Sequence, residues 1–246
     1  MQRYFLDTPF SNEGNATITG EDSKHIVKVM RMTVGDTLIA VSEGEACVAS
    51  IIQTQPDGVT IQRQEGSLPL NEMPVKVTIA CGLPKGDKLD LIVQKGTELG
   101  MHAVIPFEAE RSIVKWDAKK GDKKVERLRK IAKEAAEQCH RTVIPNVSEP
   151  LSFKQLIQVS SQYDVCLYAD EEDAKSDRPN KIAERLKNVY DKQSVLVVFG
   201  PEGGLSRKET ASMSTAGFLS VSLGPRILRT ETAPLYVLSA MSYEFE

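Results

Sequence analysis

The sequence predicts a small β-barrel with one helix, followed by a larger α/β domain. Three observations support this prediction. From Arg3 to about Gln64, apolar residues come in short alternating runs separated by turn signals, whereas after about residue 71 strand-like runs alternate with amphipathic helices. Between the two patterns, QEGSLPLNEMP at 64–74 contains Gly, Pro and Asn and has little periodicity, as is typical of an interdomain linker. We therefore predict domains at 1–70 and 71–246.

The front domain is predicted to contain about five or six strands, because its apolar runs are short and rich in alternation. Turn signals between the runs include Val-Gly-Asp at 34–36, Ser-Glu-Gly-Glu at 42–45 and Pro-Asp-Gly at 56–58. A helical stretch from Glu21 to Met32 interrupts the series. Short strands with one helix are typical of a small barrel.

The second domain is predicted to alternate strands and helices around a parallel sheet. Asp164–Ala169 and Val195–Phe199 are short, apolar and rich in Val, as buried parallel strands are. Ser206-x-x-Glu209 is a capping box that begins a helix, and Gly217 provides its stop. The other predicted strands are 75–81, 103–107 and 218–223, and the helices are one containing Leu89 to Leu99, then 125–139, 206–215 and 232–245.

Composition excludes several classes of protein. The 246 residues include four widely spaced Cys, with no CxxC pair, and three His, so neither a disulfide scaffold nor a zinc site is expected. No apolar run is long enough to span a membrane, and the first residues do not resemble a signal peptide, so a cytoplasmic protein is expected. A net charge of −3 leaves room for a local basic face that binds RNA.

Two glycine-bearing turns follow the last two predicted strands, GPEGG at 200–204 and LGPR at 223–226. Ligands bind at this edge of an open α/β sheet, and glycine lets the backbone approach them closely, so the two loops could form a slot for a flat group. Glycine is also common in such turns for structural reasons alone. However, a six-residue stretch of the second loop contains three charged residues, Arg226, Arg229 and Glu231, which is more charge than a purely structural loop needs. The GxxxxGK[ST], GxGxxG, GxSxG and HExxH motifs of other ligand-binding and catalytic sites are absent.

Taken together, FGPEGGLSRKE at 199–209 and LGPRILRTETA at 223–233 resemble the RsmE family of knotted SPOUT methyltransferases. Four further segments match the family: RYF at 3–5 with HIVKVMR at 25–31, LPKGDK at 83–88, QKGTELG at 94–100 and EQCHR at 137–141. The resemblance covers nearly the whole chain. GPEGG alone would indicate only the wider superfamily, whereas its combination with LRTETA and the front domain indicates the narrower one.

The resemblance implies a PUA-like barrel followed by a trefoil-knotted α/β domain, acting as a homodimer. It also implies S-adenosylmethionine-dependent methylation of uridine N3 in 16S ribosomal RNA of the small subunit. We expect the cofactor to bind without metal, because the sequence offers no plausible metal-binding cluster. Two alternatives remain open. One is a non-catalytic RNA-binding or ribosome-assembly protein, and the other is a knotted methyltransferase that acts on another RNA or on a ribose hydroxyl.

By the same resemblance, three loops would surround S-adenosylmethionine: the loop after Asp164–Ala169, GPEGG and LGPRILRTETA. The expected cofactor-binding residues are Leu167, Tyr168, Gly200, Pro201, Glu202, Gly203, Gly204, Leu223, Gly224, Ile227, Leu228 and Arg229.

Arg229 and Glu137 are the predicted catalytic residues. Uridine N3 is a poor nucleophile until its proton leaves, so a cation that stabilises the anionic ring is useful, and Arg229 is suited to this role. Alternatively, Arg229 forms an ion pair with Glu231 or Glu202 that only shapes the loop. Glu137 lies at the end of a predicted helix and could instead be part of a solvated terminus; the general base is not assigned.

RNA contacts are predicted mainly on the front domain. Lys24, Lys28 and Arg31 are spaced to share one face of the 21–32 helix, with Ile26, Val29 and Met30 packing beneath. Arg3, His25 and, near the end of the 125–139 helix, Arg141 complete the set. The alternative is an ordinary surface helix that binds nothing.

Overall fold

The computed structural model describes residues 1–170 and 180–246. Within this part the chain forms two compact units, one made of 1–72 together with 136–143, and one made of 73–135 together with 144–246. The second segment of the first unit comprises the end of a long helix and the residues that follow it.

The first unit is built on a five-stranded sheet, in agreement with the predicted strand number. In chain order its strands are β1 (Arg3–Phe5), β2 (Asn15–Thr19), β3 (Thr37–Ser42), β4 (Glu45–Gln55) and β5 (Gly58–Arg63), and they are arranged β1-β3-β4-β5-β2. Only β1 and β3 pair in parallel. Apolar residues of these strands form a main core around Tyr4, Leu38, Ile51 and Ile61 and a smaller cluster around Ile39 and Val41.

The helix predicted at 21–32 is shorter and differently wound. Helix α1 (Gly20–Lys24) passes directly into a π-helical turn at His25–Val29, closed by the Met30 amide donating to the His25 carbonyl at 2.9 Å. A π turn contains more residues than an α turn, so the 3.6-residue spacing no longer predicts on which side of the helix each side chain lies. Ile26 is buried as predicted, but Val29 is 65% exposed and Met30 38% exposed, so the prediction that both pack beneath is wrong.

The second unit contains a fully parallel sheet. Its strands are β6 (Lys76–Gly82), β7 (Ala103–Glu108), β8 (Asn146–Val147), β9 (Leu151–Ser152), β10 (Val165–Ala169), β11 (Ser194–Phe199) and β12 (Leu219–Val221). Their order is β12-β10-β11-β6-β7-β8, with β9 also pairing with β7. Because β10, β11 and β12 are neighbours, the loops that follow them emerge at one edge of the sheet, as the sequence predicts.

Six helices accompany this sheet within the described residues: α2 (Lys88–Glu98), α3 (Ala118–Gln138), α4 (Phe153–Val159), α5 (Ile182–Leu186), α6 (Arg207–Thr215) and α7 (Thr232–Phe245). The predicted capping box at Ser206 and Glu209 is present, and Gly217 has φ +90° just after the helix end. The sequence analysis did not identify α4, although Ser152 and Gln155 form a second capping box before it. No helix in the described ranges combines the length and apolarity needed to cross a bilayer.

Candidate active site

A cavity of about 530 Å³ opens at the edge where β10, β11 and β12 end. This volume lies within the range of small-molecule binding pockets. Loops after all three strands contribute to the wall, and so do single residues from α2 and from the chain after β7. The lining consists of Lys88, Arg111, Ala169, Asp170, 199–205, Val221, 223–230 and Ala233.

The GPEGG loop after β11 is packed too tightly for side chains at its first position. A Cβ on Gly200 would lie 2.6 Å from the carbonyl carbon of Gly204 and 2.7 Å from the amide nitrogen of Leu205. These are backbone atoms and cannot move away as a flexible side chain could. The loop also lies against the end of β6, where a Cβ on Gly82 would be 2.6 Å from Pro201 Cδ. The first glycine is therefore required for close backbone packing.

Two other glycines in the cavity wall have a different role. Gly204 has φ +68° and Gly224 has φ +100°, a conformation that side chains disfavour. A Cβ at either position would meet no heavy atom within 4 Å. Side chains there would thus extend into open space at the cavity wall. Their amides are engaged within the loops, because Gly204 N donates to the Pro201 carbonyl at 2.8 Å and Gly224 N donates to Ser222 Oγ at 3.4 Å.

Ten of the twelve predicted cofactor-binding residues line this cavity, all of them in the 200–204 and 223–229 segments. Leu167 and Tyr168 do not. They are 1% and 5% exposed within β10, and the Tyr168 hydroxyl is 3.0 Å from Ser214 Oγ. The next two residues, Ala169 and Asp170, line the cavity instead, because the strand ends there. The rest of this predicted cofactor loop, 171–179, lies outside the described residues.

Lys88 connects the GPEGG loop with the 223–233 loop. The sequence analysis quoted it within LPKGDK at 83–88 but assigned it no role. Its ammonium donates to Glu202 Oε1 at 2.8 Å and lies 3.6 Å from Glu231 Oε2. The Lys85 amide donates to the same Glu202 oxygen at 3.0 Å. Hydrogen bonding to Glu202 raises the pKa of Lys88. Burial alone would raise the pKa of Glu202, but the Lys88 and Lys85 hydrogen bonds outweigh it and lower that pKa, so both groups are charged at neutral pH.

This arrangement bears on Arg229. The sequence left open that Arg229 pairs with Glu202 or Glu231, but Lys88 contacts both carboxylates. Within the described ranges the Arg229 side chain, which is exposed at the cavity, has no carboxylate partner. Its backbone carbonyl accepts hydrogen bonds from the amides of Thr232 and Ala233, the first two residues of α7. The guanidinium is therefore available to a ligand.

Arg111, also missed in the sequence analysis, fixes the outer side of the GPEGG loop. It donates from Nη1 to the Gly203 carbonyl at 3.0 Å. The neighbouring Glu110 accepts from Ser206 Oγ at 2.7 Å, and its amide donates to Glu209 Oε1 at 2.8 Å. The segment after β7 thus holds both the loop and the start of α6. Nothing in the sequence indicates these contacts, since the partners are more than 90 residues apart.

Two predicted RNA contacts have structural roles. Arg3 is 5% exposed and donates to the Arg141 carbonyl at 2.9 Å, and burial lowers its pKa. Arg141 is 3% exposed and pairs with Glu72 through Nε at 3.0 Å and Nη2 at 2.5 Å. Neither guanidinium is available to a phosphate, so these two predictions are wrong in this structure.

The other predicted front-domain contacts differ in availability. Lys28 and Lys24 are both exposed. The Lys24 ammonium forms a surface ion pair with Glu21 Oε1 at 3.0 Å. Arg31 is exposed but follows the π turn at φ +55°, so it does not share a regular helix face with them. His25 is half-buried, with Nδ1 2.9 Å from the Tyr4 hydroxyl.

Glu137 does not line the cavity described above. It belongs to the first unit. There, burial, Asp22 and Glu137 together raise the pKa of Tyr4 to about 12. The geometry therefore gives no support to a catalytic role for Glu137 at this cavity. No group of three or more His, Cys, Asp or Glu side chains within the described ranges could hold a metal ion.

Comparisons with known proteins point in one direction. A family model described as an RNA methyltransferase domain matches residues 71–242, and one described as an RNA methyltransferase PUA domain matches 18–62. The chain is 47% identical to the ribosomal RNA small subunit methyltransferase E of Bacillus subtilis (strain 168), over 100% of this chain and 98% of the relative. It is 31% identical to the protein of that name from Synechocystis, over 94% of this chain and 73% of the relative.

A solved structure agrees. The ribosomal RNA small subunit methyltransferase E of Neisseria gonorrhoeae, bound to S-adenosyl methionine, superposes with a TM-score of 0.87. The two chains are 26% identical, and the match covers 100% of this chain and 98% of the other.

Proposed function

The chain belongs to the ribosomal RNA small subunit methyltransferase E family, and from this premise we propose that it methylates N3 of a uridine in 16S ribosomal RNA. Its cofactor is S-adenosylmethionine. The predicted fold class, a SPOUT methyltransferase domain of the trefoil-knotted type after a PUA-like barrel, is confirmed. The observation that carries the proposal is the unpaired Arg229 at the wall of the two-loop cavity.

The cavity fits the cofactor. Gly204 and Gly224 place no side chain at the cavity wall, so a flat ligand can approach the loop backbone closely. Leu223, Ile227 and Leu228 provide apolar surface in the same wall. The cofactor-binding residues of the family resemblance, other than Leu167 and Tyr168, which are buried in β10, and Arg229, which is assigned below to the uracil, are retained in this proposal.

The chain's contribution to chemistry is alignment and charge. When bound, S-adenosylmethionine supplies an electrophilic methyl group, so the protein must hold the uracil in line with it and exclude water. As the N3 proton leaves, negative charge spreads to the uracil carbonyl oxygens. The Arg229 guanidinium would donate to one of these oxygens, an interaction that is stronger in the transition state than in the ground state.

Glu202 and Glu231 line or adjoin this cavity, but their geometry favours a structural role. Lys88 keeps Glu202 ionised and hydrogen-bonded, with a lowered pKa, so Glu202 is a weak proton acceptor near neutral pH. We propose that the Lys88 contacts hold the GPEGG loop and the 223–231 loop at a fixed separation for the cofactor.

Replacing Lys88 by Met should weaken S-adenosylmethionine binding about tenfold, the effect expected when a hydrogen bond between charged groups is lost. Titration calorimetry measures it. Lys95→Met is the matched control, because Lys95 lies in the same helix and, among the residues that the structure describes, its ammonium pairs with Glu98 alone. Equal affinities in the two variants would show that the ion pairs of Lys88 do not shape the site.

We propose that the front domain, 1–70, contributes RNA contacts through Lys24 and Lys28. We also propose that the protein works in the cytoplasm, where ribosomal RNA is assembled.

A homodimer is proposed because Tyr236 and Tyr243, seven residues apart on α7, are 41% and 90% exposed. Light scattering that gives the mass of one chain at micromolar concentration would contradict the dimer.

Methyl transfer in vitro tests the proposed function. Protein, methyl-labelled cofactor and either 16S ribosomal RNA, small subunits or transfer RNA are incubated, and labelled nucleosides are identified by mass spectrometry. The proposal expects 3-methyluridine in the ribosomal samples alone. Label in transfer RNA or on a ribose hydroxyl would favour a knotted methyltransferase with another target, and cofactor binding without transfer would favour a non-catalytic RNA-binding protein.

A further inference from the structure

Positive charge is concentrated in one segment of the methyltransferase domain. Residues 111–130 contain nine Lys or Arg and three Asp or Glu, a net charge of +6 in a chain whose total is −3. The segment runs from the cavity wall at Arg111 into the first half of α3. The rest of the chain is therefore acidic, and a polyanion would be attracted to this segment in particular.

Apart from Arg111 and Lys120, the cations in the segment fall into two groups. Four are engaged by other groups: Lys124 lies 5.6 Å from the Trp116 ring centroid, Arg127 pairs with Asp90, Arg129 with Glu149 and the Val147 carbonyl, and Lys130 with Glu134. Three others, Lys115, Lys119 and Lys123, are exposed and have no carboxylate partner in the part of the chain that the structure describes. We call these three residues the lysine strip.

The strip is suited to one extended ligand. Lys119 and Lys123 are four residues apart in α3 and so lie on the same side of the helix. They also lie in its first two turns, where the helix dipole adds positive potential. No acidic residue occupies the first turn of α3 to cancel it. Asp122 and Glu126 follow Lys119 and Lys123 by three residues and share this side of the helix, so the strip contributes a net excess of positive charge and not an unbroken run of it.

The strip is close to the reaction site along the chain. Arg111 lines the cavity and donates to the Gly203 carbonyl, and Lys119 lies eight positions further along the chain. Even a fully extended chain places Lys119 within about 28 Å of Arg111. That distance is shorter than the RNA footprint of common double-stranded RNA-binding modules, which span about 16 base pairs.

We propose that Arg111 and the lysine strip form a contact surface for the phosphate backbone of the substrate RNA, within the methyltransferase domain itself. This inference rests on the proposed function, since it assumes an RNA substrate. It adds to the contacts proposed for Lys24 and Lys28 and replaces those predicted for Arg3 and Arg141, which are buried and paired. Contacts between lysines and phosphates do not depend on the base sequence of the RNA. The surface would therefore position the RNA while the cavity selects the base.

The test is RNA affinity at several salt concentrations for a Lys115→Gln, Lys119→Gln, Lys123→Gln variant. We expect affinity for 16S RNA to fall at least tenfold, and the slope of log affinity against log salt to decrease by about two to three. Affinity for S-adenosylmethionine should equal that of the wild type. A Lys→Arg triple at the same positions should bind RNA normally, since it keeps the charge.

The control removes three exposed lysines outside the segment, Lys154, Lys181 and Lys187, and should leave RNA affinity and salt slope near wild type. If the strip variant binds RNA as tightly as the wild type, or loses no more affinity than the control, the strip is not an RNA surface. That result leaves the proposed function intact. Failure of the wild type to bind or methylate 16S RNA would instead overturn the proposed function and this inference with it.

Discussion

Substituting Ala for Gly200 is expected to reduce S-adenosylmethionine affinity at least 100-fold in titration calorimetry. The added Cβ would lie 2.6 Å from the Gly204 carbonyl carbon and 2.7 Å from the Leu205 amide nitrogen. Because both atoms belong to the backbone, the loop can accommodate the methyl group only by moving. Any movement displaces Gly203 and Gly204, which form part of the cavity wall.

Gly121→Ala provides the matched control. Gly121 lies within α3, and a Cβ there would be 3.7 Å from Pro150 Cγ, an ordinary contact. Ala also favours a helix. We expect this control to bind the cofactor normally and to unfold at a temperature no lower than the wild type. Wild-type affinity in Gly200→Ala would place the cofactor away from the GPEGG loop.

Substituting Ala for Arg229 is expected to lower the single-turnover rate of methyl transfer about 100-fold at saturating cofactor and RNA, as for other donors to a developing oxyanion. S-adenosylmethionine affinity should change less than about threefold, because the proposed contact is made to the uracil as it becomes anionic. Quenched-flow sampling with methyl-labelled cofactor measures the rate, and calorimetry measures the affinity.

Two variants control for loss of charge. Arg226 lines the same cavity and is exposed in the same loop, so Arg226→Ala removes an equal charge. Its rate should stay within about threefold of wild type, and Arg229→Lys should recover part of the lost rate. If both arginine-to-alanine variants lose the same rate, the effect is one of general electrostatic attraction, and Arg229 has no specific part in transfer.

Local patterns predicted the second domain well. Helix α7 has the predicted bounds, and the capping box at Ser206 and Glu209 begins α6 where expected. Capping and apolar periodicity depend on residues within one turn, so they can be read from short segments. The glycine loops were identified for a similar reason, since turn chemistry and the preceding strands are contiguous in sequence.

Features that depend on distant partners were not predictable in this way. Lys88 contacts Glu202, 114 residues away, and Arg3 donates to Arg141, 138 residues away. When only the local pattern is considered, a charged residue is predicted to be exposed. In the folded chain a distant carbonyl or carboxylate can offset the free-energy cost of burying it. The π turn at His25–Val29 is a different case, because one additional residue in a turn shifts the direction of every later side chain.

The central claim is that this chain transfers a methyl group to N3 of a uridine in 16S ribosomal RNA, and mass mapping of that RNA in cells tests it most directly. The RNA is taken from a strain lacking the protein and from the same strain expressing wild type or Arg229→Ala. The account predicts that one 3-methyluridine is absent without the protein, returns with the wild type and stays strongly reduced with Arg229→Ala. A 16S RNA whose 3-methyluridine content is the same with and without the protein would contradict it.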